Sequence, residues 1–214
     1  MNYKKVIDIS KFNNIDGTLS DLSIDGVMIR ATSGMKKDVM LEEHLDKAIE
    51  YGVPFGFYFY TAAVNRKELI EELRYFHKTI NDVCAKAEKW AKLPLAIDIE
   101  YTSDSKFSGV KNEEFLSMVI YTAKDYFEQE GLPWLVYMNY DFYMRKCPCS
   151  LDIVPKENRW VARYRGVNTA MDLRQNSGVD CVMWQYGQEP IGGMESDIDC
   201  NLASPLIFSE YRMR

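Results

Sequence analysis

Leu93-Pro94-Leu95-Ala96-Ile97-Asp98-Ile99-Glu100 is a short apolar run that ends on two carboxylates spaced i and i+2. A strand alternates its faces, so Asp98 and Glu100 point the same way. At about 3.3 Å of rise per residue their α-carbons stand roughly 6.6 Å apart, in the range where two carboxyl groups flank one glycosidic bond. A lone Asp-x-Glu is more often a strand running out into solvent, so the rest of the chain decides its meaning.

On both sides of this run, strand-like and helix-like segments alternate, the pattern of a parallel sheet or barrel built from strand-helix units. Strand candidates are Val6 to Ile9, Gly26 to Ala31, Phe55 to Tyr60, Leu93 to Ile99 and Trp134 to Met138. Leu41, Leu45, Ala48 and Ile49 recur at helical spacing before Gly52 and Pro54. Leu69, Leu73 and Phe76 mark a second helix, from Asn65 to about Ile80, and a third fits Asn112 to Glu130, stopped by Gly131 and Pro133. After Trp134 the rhythm changes. Arg159 to Ala162, Val179 to Trp184 and Ser196 to Cys200 follow one another with little room for long helices. Eight strand candidates predict a closed barrel, helix-wrapped on one side only. With no repeat, low-complexity tract or linker, residues 1–214 read as a single domain.

Composition narrows the function. The net charge is −6 and no Lys/Arg cluster stands out, so the electrostatic footprint of a nucleic-acid binder is missing. Aromatic residues make up 13% of the chain, which points to platforms for sugars or bases. No stretch has the length of a transmembrane span or a signal-peptide core, so neither membrane insertion nor cleaved secretion is expected. Five cysteines at scattered spacings, an odd number, argue against a fully paired framework. Cys147-Pro-Cys149 is too close for an ordinary zinc pair, and only His44 and His77 could complete a site. No metal or cofactor is expected, and the default oligomeric state is a monomer.

In strand-helix barrels the active site sits at the carboxyl ends of the strands. Here those ends are polar and aromatic: Asp8; Arg30 and Thr32; Tyr58 and Tyr60; Asp98 and Glu100; Tyr137 and Asn139; Trp160 and Tyr164; Trp184-Gln185-Tyr186; and Asp197-Ile198-Asp199. Four or five carboxylates would converge on one aromatic-walled cleft.

These segments resemble glycoside hydrolase family 25, the Chalaropsis-type lysozymes, in seven pieces in the right order. They are Asp8-Ile9-Ser10, Ile29 to Gly34, Gly56 to Tyr60, Ala96 to Glu100, Trp160 to Tyr164, Trp184-Gln185-Tyr186 and Ile198 to Asn201. The resemblance covers essentially the whole chain, so residues 1–214 are expected to be a single catalytic domain with no separate cell-wall-binding domain, reaching a cell wall by lysis or an unseen export route. It implies an α/β fold, an irregular TIM-like (β/α)5(β)3 barrel, and cleavage of the N-acetylmuramic acid to N-acetylglucosamine bond of bacterial peptidoglycan. It also implies four acidic site positions: Asp8, Asp98, Glu100 as general acid, and Asp199, chosen over Asp197 because Asp-x-Asn follows the family pattern. The third strand departs from that pattern, reading Tyr-Phe-Tyr where a His is common.

Chemistry assigns the expected roles. Glu100, beside Asp98 and shielded by aromatic rings, should hold its proton through like-charge repulsion and desolvation. Asp98 is expected to stay ionised and to orient a substrate acetamido group that attacks in place of an enzyme nucleophile. Direct attack by Asp98, or by water, stays open on spacing alone. Asp8 and Asp199 either contact the sugar or tune the pair, with capping of a turn the alternative for Asp8. Tyr58, Tyr60, Tyr137, Trp160 and Trp184 offer stacking faces to sugars, Asp197 is a further substrate contact, and Arg30 either binds a substrate carboxylate or offsets the acids. A chitinase-like hydrolase and a catalytically silent glycan-binding barrel are the competing readings.

Overall fold

In the computed structural model, residues 3–15, 19, 23–87, 91–100, 112–168, 171–190 and 197–208 are described. Strands and helices follow in the order β1 (Lys4–Ile9), β2 (Gly26–Ser33), β3 (Lys36–Lys37), α1 (Leu41–Glu50), β4 (Phe55–Tyr60), α2 (Arg66–Ala87) and β5 (Leu95–Asp98). Next come α3 (Glu113–Gln129), β6 (Trp134–Asn139), α4 (Ser150–Ile153), β7 (Arg159–Ala162), α5 (Leu173–Ser177), β8 (Met183–Glu189) and β9 (Ile198–Ala203).

Eight of these strands close a ring, β1-β2-β4-β5-β6-β7-β8-β9, and β3 folds back on β2 as a short hairpin. All neighbours in the ring are parallel except β9, which runs antiparallel to both β8 and β1. The chemical reason is sequence length: only residues 190–197 separate β8 from β9, too few for the crossover that a parallel pair needs.

Strand alternation sorts the side chains into two layers. In β4, Phe55, Phe57 and Phe59 face outward to the helices, while Gly56 and Tyr58 face into the barrel. The outer layer is completed by helical stripes such as Leu69, Leu73, Phe76 and Ile80 of α2 and Leu116, Val119, Ala123 and Phe127 of α3. The barrel interior is filled by Val6, Met28, Ala96, Leu135, Trp160, Met183 and Ala203 beside Tyr58 and Tyr137. Asn112 starts α3 by accepting the Phe115 N–H on its side chain.

The eight-stranded barrel read from the sequence is present, with differences in detail. Helix α2 runs to Ala87 rather than stopping near Ile80, because Val83 and Cys84 extend its buried stripe. Strand β8 begins at Met183 rather than Val179, so Trp184-Gln185-Tyr186 lies within the strand. The final strand is Ile198–Ala203 rather than Ser196 to Cys200. The reversed β9 changes which of its ends faces the site: its start, not its carboxyl end, lies level with Asp8, since Asp8 pairs with Asp199.

The opening run of β5 also needs space beneath it. A β-carbon on Gly56 would lie 2.7 Å from the Leu93 β-carbon and from the Pro94 carbonyl oxygen, and 2.9 Å from the Met28 sulfur. Two of these neighbours are close to the backbone and cannot rotate away. Gly56→Ala should therefore cost about 1–3 kcal/mol by overpacking, read as a lowered midpoint in urea unfolding. An unchanged midpoint would show that the barrel floor gives way freely.

Candidate active site

The cleft opens at the end of the barrel where β1, β2, β4, β5, β6 and β7 finish and β9 begins. Strand register sets its contents. Tyr60 lies opposite Asp98, Asp98 opposite Tyr137, and Tyr137 opposite Trp160. Across the closing seam Asp8 faces Asp199. A cavity of about 560 Å³ is lined by Asp8, Asp98, Glu100 and Asp199 together with Arg30, Tyr58, Tyr60, Tyr137, Trp160 and Gln185, and by Ser10, Phe12 and Ser33 at its edge. This volume is within the usual range of about 300–1,000 Å³ for small-molecule sites.

Asp8 and Asp98 are both buried, whereas Glu100 is half-buried. Asp8 Oδ2 accepts from Gln185 Nε2 at 3.0 Å and from Asn201 Nδ2 at 2.7 Å. Both donors come from the inner faces of β8 and β9, so Asp8 is held by the barrel interior and, among the described residues, caps no turn. Asp98 Oδ1 is buried and, among the described residues, has no hydrogen-bond partner. Such an orphan acceptor is costly in an empty protein and is ready for a ligand N–H or O–H. The Tyr137 hydroxyl lies 3.2 Å from Glu100 Oε1 and 2.8 Å from Gln185 Oε1. Tyr164, beyond β7, donates its hydroxyl to Asp199.

Crowding of acids in a dry pocket shapes their ionisation. Burial pushes Asp8 up to about 8, helped by the Asp199 charge and opposed by the Asn201 and Gln185 hydrogen bonds. Burial, then Glu100 and Asp8, hold Asp98 well above the usual carboxylate range, with Arg30 pulling the other way. Burial raises Glu100, the Tyr137 hydroxyl beside it pulls the other way when it donates, and Asp199 adds to the rise. The expectation that Asp98 stays ionised therefore does not describe the free cleft, where burial favours its neutral form. Asp8, Asp98 and Glu100 are each pushed toward the neutral form, so their protonation is shared among the three rather than set residue by residue.

The aromatic residues divide by exposure. Trp160 is 1% exposed and forms the floor, its indole N–H donating to Asn201 Oδ1 at 2.7 Å. Tyr58 and Tyr137 pack edge-on against it, with ring centroids 6.1 and 4.8 Å away. Tyr60 lines the cleft and is half-buried. Arg30 donates from Nε to Asp38 Oδ2 at 2.7 Å, and its guanidinium lies 5.2 Å from the Phe12 ring centroid. Asp38 also accepts from the Lys11 and Met40 N–H groups, which fixes this corner of the rim. Arg30 thus has a dedicated counter-ion outside the acid cluster.

Two expected residues are not brought to the cleft. Trp184 is on the outer face of β8, fully buried, with its indole N–H on the Arg163 carbonyl at 3.0 Å. Strand alternation sends Gln185 inward in its place. Asp197 is exposed just before β9 and does not line the cavity. Conversely, Phe12, Ser10, Ser33 and Gln185 line the cleft although sequence reasoning did not select them as site residues. Gln185 was legible in principle, since it alternates with Trp184 on one strand. Phe12 follows Asp8-Ile9-Ser10 in a turn, where no periodicity sets its direction. Among the described residues no group of three or more His, Cys, Asp or Glu is placed to hold a metal, and no helix is long and apolar enough to cross a membrane.

Comparison with known proteins gives a matching picture. The model of glycosyl hydrolases family 25 matches residues 7–193. Among curated proteins none matches. The modular autolysin LytC from Streptococcus pneumoniae superposes with a TM-score of 0.74 at 23% identity, over 94% of this chain and 46% of the autolysin. The catalytic domain of endolysin ply40, from bacteriophage P40 of Listeria monocytogenes, gives 0.73 at 27% identity over 97% of this chain and 96% of its own. The bacterial lysozyme from Streptomyces coelicolor gives 0.70 at 19% identity, with 94% and 92% covered. The chain thus spans under half the length of the autolysin, and the likenesses to the autolysin and the Streptomyces lysozyme speak to fold alone.

The buried acids also govern stability. Asp8 is raised in the fold above its unfolded value of about 3.9, so its favourable contribution is complete below about pH 4 and is lost as pH rises toward 8. Asp8→Asn keeps an acceptor oxygen for Asn201 and Gln185 without the charge. The melting temperature of the variant should fall less between pH 5 and pH 8 than that of the wild type, by calorimetry. Parallel pH dependences would show that Asp8 is not a source of the loss.

Proposed function

The chain belongs to the glycosyl hydrolases of family 25, and from that premise we propose that it is a lysozyme. On this reading it hydrolyses the bond between N-acetylmuramic acid and N-acetylglucosamine in bacterial peptidoglycan. The observation that carries the proposal is the convergence of Asp8, Asp98, Glu100 and Asp199 in one cavity, with a buried acceptor on Asp98 that has no partner among the described residues. The pneumococcal autolysin, whose barrel superposes on this one, has been determined in complex with a synthetic peptidoglycan ligand, which supports the choice of substrate class.

In this mechanism Glu100 is the general acid. It is the most exposed of the three acids whose ionisation is suppressed, so it can hold a proton and still reach the glycosidic oxygen. As the carbon–oxygen bond breaks, the proton moves from Glu100 to the leaving oxygen and positive charge grows on the sugar ring. Asp98 Oδ1 accepts the N–H of the 2-acetamido group, whose carbonyl oxygen attacks the anomeric carbon. The bound N–H and the developing cation both favour ionised Asp98, supplying what the free cleft lacks. Water then opens the cyclic intermediate, with Glu100 as the base that removes its proton. Asp8 and Asp199 close the wall of the cleft beside this centre, where they contact the sugar or tune the Asp98 and Glu100 pair. Tyr58, Tyr60, Tyr137 and Trp160 shape the sugar-binding walls, and Phe12 extends them at the rim. Arg30, already paired with Asp38, presents its remaining N–H groups to a lactyl or peptide carboxylate.

Glu100→Gln should fold with an unchanged melting temperature and lose at least about 100-fold in rate, the scale for removing a general acid. Purified peptidoglycan digested by each protein, followed by mass spectrometry of borohydride-reduced fragments, gives the readout. Reduced muramic ends made by the wild type alone are expected. Glucosamine ends would move the cut to the other bond, and no new ends at all would favour a silent glycan-binding barrel.

A further inference from the structure

The hydrogen bonds beneath Glu100 can be given directions from chemistry alone. The Trp160 indole can only donate, so Asn201 must turn its oxygen toward it. The amide nitrogen of Asn201 then faces the Val6 carbonyl at 3.1 Å and Asp8 Oδ2 at 2.7 Å, both acceptors. Asp8 Oδ2 therefore carries no proton of its own in this arrangement, and Gln185 turns its nitrogen to the same oxygen at 3.0 Å. The oxygen of Gln185 is left facing the Tyr137 hydroxyl at 2.8 Å. A phenol has one proton. Gln185 offers the nearer acceptor and takes it, so the oxygen of Tyr137 meets Glu100 Oε1, at 3.2 Å, with a lone pair.

We propose that Tyr137 is a positioning residue for the general acid: with its own proton held by Gln185, its oxygen accepts the proton-bearing Glu100 carboxyl. The inference rests on Glu100 being the acid and adds the means by which the acid is kept loaded. It also supplies a step. On substrate binding the Glu100 proton leaves its hydrogen bond to the Tyr137 oxygen and passes to the glycosidic oxygen, the bond's electron pair goes to that oxygen, and the new carboxylate is left facing Tyr137. The Tyr137 O–H then turns from Gln185 to Glu100 by rotation about its own C–O bond, since both acceptors already lie within reach. One hydrogen bond serves the acid before transfer and its reverse serves the carboxylate after it, an interaction that strengthens along the reaction.

Among the described residues, the charged and titratable groups facing Glu100 are Asp98 on its own segment, Asp8 on β1, Asp199 on β9 and Tyr164 beyond β7, with Arg30 on β2 beside Asp98. A change at Gln185 disturbs Asp8 as well, so a double-mutant cycle is needed. Gln185→Met removes the acceptor that holds the Tyr137 proton and frees it for Glu100, which favours the ionised acid. The Glu100 midpoint should fall by about one pH unit. In a Tyr137→Phe background no hydroxyl is left to turn, and Gln185→Met should produce a clearly smaller shift.

The midpoint is read by carbon-13 NMR titration of labelled glutamate carboxyls, with Glu100 identified by the signal missing in Glu100→Gln. The alkaline limb of kcat/KM against pH should move with it. A midpoint that stays or rises in Gln185→Met, or that falls equally in both backgrounds, overturns the proposal. Should Gln185→Met fail to fold, Gln185→Asn keeps the amide but withdraws its oxygen from Tyr137, with the same expectation. The titration needs no turnover. Failure of the lysozyme reading, seen as absent muramic ends from wild type, is thereby separable from failure of this one.

Discussion

Closure of the ring through β9 is the constraint on which the site depends. An eight-stranded barrel has an interior just wide enough for side chains to fill, so every inward residue at its open end is pressed against its neighbours. Because β9 enters antiparallel between β8 and β1, Asp8 and Asp199 lie directly opposite one another. Asn201, two residues further along β9, is on the same face and meets both Asp8 and Trp160. A parallel final strand would have carried its first residues to the other end of the barrel. Reversal of one strand thus completes the acid cluster and supplies the amide that supports it.

The interior changes character along its length. Toward the floor, Val6, Met28, Ala96, Leu135 and Met183 fill the barrel with apolar volume, and burial there is favourable at about 25 cal/mol per Å². Toward the mouth the same inward positions hold Asp8, Asp98, Tyr137, Gln185 and Asn201. Burying these groups is unfavourable unless they find partners, and most of them do, in a chain of hydrogen bonds running from Trp160 to Glu100. Asp98 Oδ1 is the exception. Local destabilisation of this kind belongs where a ligand is to bind, and the apolar floor and the helix-covered outer layer hold the fold against it.

The rim follows a different rule. Arg30 and Asp38 pair at 2.7 Å with Asp38 almost wholly enclosed, and Asp38 gathers two backbone N–H groups besides. Removing one partner would strand a buried charge, so this pair fixes the turn that carries Phe12 over the guanidinium. A cationic corner is therefore set beside an acidic pocket without collapsing into it, because Arg30 already has its own counter-ion.

Alternation of apolar and polar residues carried most of the architecture in the sequence itself. Period two in Phe55 to Tyr60 and in Leu95 to Glu100 set both the strands and their inward faces, and period 3.6 set the helices. Spacing likewise aimed Asp98 and Glu100 at one cleft, although β5 ends at Asp98 and Glu100 lies two residues beyond it. Local pattern could not set relations between distant strands. It pointed to Trp184 rather than Gln185 as a cleft residue, and only the register of β8 in the closed ring turned the glutamine inward and the tryptophan out. It gave no direction to Phe12, which lies in a turn, and no sense of the reversal of β9. It also suggested an ionised Asp98, because neither the depth of burial nor the number of acids sharing the pocket is a local quantity. The sequence by itself determined the barrel class and the residues capable of acid chemistry. Tertiary structure alone decided which of them meet, how dry they are and which way their hydrogen bonds run, because strand register and ring closure are long-range properties that no segment encodes alone.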